Sequence, residues 1–90
     1  MDPSSRPKPT PGYRIEMLDG EQLLYSAEQT LVLCCNDTAS LIWRLCDGER
    51  SVGQIVALLQ AAYPEAADAI AGDVAAALTE FAQHGALEFL

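Results

Sequence analysis

Three short runs of strand-forming residues lie between Tyr13 and Cys35, and the connections between them are too short for anything but an antiparallel meander. Tyr13 to Leu18 mostly alternates, with Tyr13, Ile15 and Met17 on one face and Arg14 and Glu16 on the other. Asp19-Gly20 is a tight-turn dipeptide. Leu23-Leu24-Tyr25 is a second strand, and Ser26 to Gln29 is polar enough for the next turn. Thr30-Leu31-Val32-Leu33-Cys34-Cys35 is the third strand: β-branched, apolar or small throughout, with no charge, Pro or Gly. In such a meander the first and third strands are the edges.

The pattern then changes to helical. Asn36-Asp37-Thr38 caps a helix to about Cys46, with Leu41, Ile42, Leu45 and Cys46 as its apolar stripe. Trp43 lies off that stripe. Its expected place is the boundary with the sheet or third helix, or a partly exposed position. Ser51-Val52-Gly53-Gln54 is a capping box that opens a second helix. Pro64 suits the first turn of a third, running to about His84 with Ile70, Val74, Leu78 and Phe81 inward and Ala77 beside them. Leu87 to Leu90 is a short apolar tail that fits a strand or a packed end. The fold class expected is α+β: a three-stranded antiparallel meander followed by three helices, similar to a winged helix-turn-helix.

Residues 1–12 hold four of the five prolines. They read as an extended or disordered lead-in with no core to bury, which leaves residues 13–90 as one domain. The N-terminus lacks a secretory h-region, and no apolar run approaches the ~20 residues a bilayer span needs. A soluble cytoplasmic protein without a membrane partner is expected.

Chemistry is sparse. The three cysteines, Cys34, Cys35 and Cys46, make neither a disulfide framework nor a CxxC metal motif. The only histidine, His84, sits at a predicted helix end with no base–nucleophile pair to join. Phosphate-binding, dinucleotide and metalloprotease motifs are missing. No catalytic residue, metal or cofactor is expected, and the chain does not read as an enzyme.

The net charge of −8 argues against nucleic acid. All five basic residues precede Ser51. What remains as a functional surface is the backbone of the third strand. Edges are normally blunted by Lys, Pro or a bulge, and Thr30 to Cys35 has no Lys or Pro. A guest peptide can complete the ladder by strand addition. If Leu31, Leu33 and Cys35 face the core, Val32 and Cys34 face away. The candidate peptide-binding set is Thr30, Leu31, Val32, Leu33 and Cys34 on the strand. Val74, Ala77, Leu78 and Phe81 would wall it from the third helix, with Asp73 selecting basic residues on the guest.

Several segments, in order and spacing, resemble the PqqD family. They are Pro11-Gly12-Tyr13-Arg14, Leu23-Leu24-Tyr25 and Asn36-Asp37-Thr38-Ala39, then Leu45 to Val52 (LCDGERSV) with Ile55-Val56. Tyr63-Pro64, Asp73-Val74 and Gly85-Ala86-Leu87 complete the match, over roughly Pro11 to Leu87. The resemblance implies a non-catalytic recognition element for ribosomally made, post-translationally modified peptides. It implies that a precursor's leader peptide is bound as an added strand between the third strand and the third helix. The precursor is then presented to a modifying radical S-adenosylmethionine enzyme, in pyrroloquinoline quinone or related peptide biosynthesis. Two features depart from PqqD proper. Tyr25-Ser26-Ala27-Glu28-Gln29 stands where Tyr-Pro-Glu-Gly is usual, and Trp43 is more typical of relatives in other peptide pathways.

Two rival classes fit the same element order: a winged-helix DNA-binding regulator and a generic strand-pairing adaptor. The first needs basic residues on the third helix, which has none. The sequence leaves the second open. It also leaves open a homodimer through the third-strand edge.

Overall fold

Asp19 and Gly20 both have positive φ, 51° and 80°, as a two-residue type I′ hairpin turn requires. They join the first two strands of the expected meander. The computed structural model describes residues 2–26, 28 and 31–90. Among these the order is β1 (Pro7–Pro9), β2 (Tyr13–Leu18), β3 (Glu21–Ser26), β4 (Leu31–Cys35), α1 (Asp37–Leu45), α2 (Val52–Ala62), α3 (Ala67–Gln83) and β5 (Leu87–Phe89). One 3₁₀ turn, Pro64–Ala66, precedes α3. Ala27, Gln29 and Thr30, from the expected second turn and third strand, lie outside the described residues.

The sheet β2-β3-β4 is antiparallel throughout. Leu24, with no exposed surface, has Ile15 opposite it on one side and Leu33 on the other. These residues form the core face. Arg14, Glu16, Leu23, Tyr25 and Cys34 alternate onto the other face.

Asn36 caps α1 through its side-chain oxygen, which accepts from the Ala39 N–H at 2.7 Å. The Gln22 amide donates to Asp37 Oδ1 at 2.7 Å, tying the start of the helix to β3. Trp43 settles in the interior, 6% exposed, with its ring edge-on to Phe81 of α3 at 5.2 Å between centroids. The capping box at Ser51 and Gln54 is complete, with bonds of 2.8 and 3.1 Å. Val52, Ile55 and Leu59 of α2 and Ile70, Val74, Leu78 and Phe81 of α3 join Leu24, Ile42 and Trp43 in one core. Gly85 ends α3 at φ 75°.

The N-terminal segment differs from the expectation that it buries nothing. Pro7 is fully buried, and β1 pairs antiparallel with β5. The carbonyls of Ser5 and Pro3 accept the Val52 and Gly53 N–H groups at 2.8 and 2.9 Å. These are first-turn donors of α2 that have no partner within the helix. Arg6 and Leu90 exchange two backbone bonds, and Pro7 O accepts from Gly48 at 2.9 Å. Proline composition signals extended chain but not that its carbonyls meet a helix end.

A variant beginning at Thr10 should lose roughly 2 kcal/mol, the contribution of one buried side chain such as Pro7. Urea unfolding measures this, and an unchanged midpoint would mean that this N-terminal strap, residues 2–9, adds nothing.

Candidate functional site

The sheet ends at β4. Among the described residues it pairs with β3 on one side only. Which of its main-chain groups turn outward follows from the distant turn. In a two-residue hairpin the flanking residues, here Leu18 and Glu21, form a hydrogen-bonded pair. Alternation makes Glu21, Leu23 and Tyr25 bond toward β2. Gln22, Leu24 and Ser26 then bond toward β4, opposite Cys35, Leu33 and Leu31. Val32 and Cys34 are left with N–H and C=O directed away from the sheet. The opposite edge, β2, carries Arg14 and Glu16, which form an ion pair at 2.6 Å, and charge of this kind protects an edge.

Beside β4 lies a groove of about 290 Å³. Leu33, Cys34 and Cys35 form one bank, and Asn36, Thr38, Ala39 and Ile42 close its end at the start of α1. Asp73, Ala76, Ala77, Glu80 and Phe81 of α3 form the other bank. The four residues Asp73, Ala76, Ala77 and Glu80 recur at helical spacing i, i+3, i+4 and i+7, one stripe on α3. The core stripe Ile70, Val74, Leu78 and Phe81 runs beside it. Phe81 belongs to both.

Of the residues expected at the site, Leu33, Cys34, Asp73, Ala77 and Phe81 come together around this groove. Val74 and Leu78 do not line it. Each has no exposed surface and packs in the core behind it. The main chain of Leu31 and Val32 belongs to β4, whereas Thr30 and the side chains of Leu31 and Val32 fall outside the description. Ala76, Glu80 and the α1 residues were not expected. Ala76 and Glu80 were detectable as small and acidic positions in register with Asp73 on one helical face. The α1 residues were not, because no sequence period relates one helix start to another helix's flank.

The cysteines differ in surroundings. Burial pushes the Cys46 thiol up to about 12, and its Sγ lies 3.2 Å from the Ile42 carbonyl oxygen. Burial also raises Cys35, opposed by a backbone contact from Leu24 and reinforced by the Glu80 carboxylate. Cys34 is exposed. The thiolate is the reactive form, so near neutral pH Cys34 should take a disulfide-exchange reagent first, Cys35 more slowly, and Cys46 only on unfolding. Time-resolved thiol titration checks this, and equal rates at Cys34 and Cys46 would contradict the placement of α1.

No group of metal-ligating side chains is present among the described residues. No helix among them is long and apolar enough to cross a membrane. Against known proteins, the profile of the family described as "Coenzyme PQQ synthesis protein D (PqqD)" matches residues 21–87. No curated relative and no solved structure matches the chain.

Proposed function

The chain belongs to the PqqD family, and from that premise we propose that it is a non-catalytic peptide-binding protein. It acts in the synthesis of pyrroloquinoline quinone or of a related peptide-derived product. The leader of a precursor peptide adds to β4 as a fourth strand. The complex presents the precursor to a modifying radical S-adenosylmethionine enzyme.

The observation that carries this reading is the open main-chain edge at Val32 and Cys34, set beside a groove with a helical wall. Backbone bonds along that edge supply affinity, and the groove supplies side-chain selectivity. The apolar floor of Leu33, Ile42, Ala77 and Phe81 suits one or two guest side chains entering between β4 and α3. The narrow stripe Ala76-Ala77 allows close approach, because neither side chain extends beyond a methyl group. Support for a non-catalytic role comes from the family and from the scattered titratable groups. DNA binding is disfavoured, since α3 presents Asp68, Asp73 and Glu80 with no cation.

Val32→Pro removes one outward donor without touching a bond to β3, and should abolish strand addition while the domain stays folded. Calorimetric titration with a leader peptide of a precursor of this family is the measurement. Full affinity in a folded Val32→Pro variant would sink the reading. Ala76→Leu is an independent obstruction. It fills the groove from an exposed position, so stability should stay within about 0.5 kcal/mol of the parent while peptide affinity drops by roughly tenfold, ~1.4 kcal/mol.

A further inference from the structure

We propose that the guest of this groove is cationic. It is an extended peptide carrying Lys or Arg at two same-face positions about four residues apart, with an apolar side chain between them. This rests on strand addition at β4 and goes further by fixing the chemistry of the peptide.

The groove and the cavity at the hairpin both border β4, and a third cavity adjoins the groove at the start of α1. The groove holds Asp73 and Glu80. The cavity toward α2 holds Asp37 and again Asp73. The cavity at the Gly20 end of the hairpin holds Glu21 and Asp37. No Lys or Arg lines any of the three. Three of the five basic side chains are engaged elsewhere: Arg14 pairs with Glu16, Arg50 pairs with Asp47, and Lys8 lies against Gly48; Arg6 and Arg44 are exposed but line none of these cavities. A guest strand beside Leu33 to Cys35 therefore meets carboxylates and no cation in the cavities that border it.

Position sharpens the point. Glu80 stands close enough to Cys35, at the end of β4, to reinforce the rise in its thiol pKa. Asp73 shares its second cavity with Asp37 and Thr38, in the first turn of α1. The line from Glu80 to Asp73 therefore continues in the direction of β4. Seven helical residues advance about 10 Å, and four strand residues about 13 Å. Two flexible cationic side chains absorb a mismatch of that size. Between the acids the wall is Ala76 and Ala77, with Phe81 and Ile42 beneath, which calls for an apolar residue at the intermediate same-face position. Both carboxylates are exposed, so neither is consumed by the fold.

The test is selection from a random peptide library displayed on phage, panned against the intact protein and an Asp73→Asn/Glu80→Gln variant. The expected result is enrichment of peptides with paired Lys or Arg, lost on the double variant. Synthesised winners should bind the variant about tenfold more weakly, the sum of two partly exposed ion pairs. Their binding to the parent should weaken with added salt. Glu80→Lys should turn the enrichment toward acidic peptides, a change that no loss of folding would mimic. Selected peptides without cationic bias, still lost on Val32→Pro, would overturn the cationic guest and leave strand addition standing. No selection by the parent protein would overturn both.

Discussion

The edge-on contact between Trp43 and Phe81 fixes the groove. Trp43 is on α1 and Phe81 on α3, with ring planes 70° apart. Edge-to-face rings hold both distance and tilt, because the positive edge of one seeks the negative face of the other. The start of α1 is tied to β3 through Gln22 and Asp37, and the Trp43 contact ties α1 to α3. The gap between β4 and α3 is thus set by two contacts through α1 rather than by direct packing across it. A space can persist beside an open strand because its walls are braced from behind. Ile42, fully buried, contributes to both brace and floor.

The second sheet braces the other end. β1 and β5 lie outside the meander and join the strap to the chain's last strand. Thr10 donates to the Gly85 carbonyl at 2.7 Å and the Tyr13 hydroxyl to that of His84 at 3.1 Å. These bonds reach carbonyls at the end of α3, where orphan acceptors collect. The same strap supplies acceptors to the start of α2. One extended segment therefore serves the opposite polar ends of two helices. All of it lies before residue 21, where the family match begins.

Much of the fold was legible because its signals are local. Asp19-Gly20 dictated a turn, Ser51 and Gln54 a cap, Gly85 a stop, and each does what its own chemistry requires. The meander followed from connection length alone. Trp43 was harder. Its helical phase set it off the apolar stripe, yet it is interior because α1 is covered on two sides, by the sheet and by α3. The strap was illegible for a related reason: its value lies in carbonyl acceptors, which every residue has. In the site, the edge strand could be read from composition, since protection is a matter of residue type. The wall could not be fully read. Val74 and Leu78 carry the strongest apolar period on α3, and that strength marks them as core rather than groove.

Alternating stripes on α3 separate two duties that many binding helices merge. Val74 and Leu78 have no exposed surface, whereas Asp73, Ala76 and Glu80 line the groove from exposed positions. Under the proposed strand addition, drift along the second stripe would leave folding almost untouched, and a lineage could exchange one guest for another by single steps without passing through an unfolded intermediate. Phe81 lines the groove and belongs to the core, and Ala77 packs against that core from the groove side, so at these positions the lining cannot change without the fold changing with it.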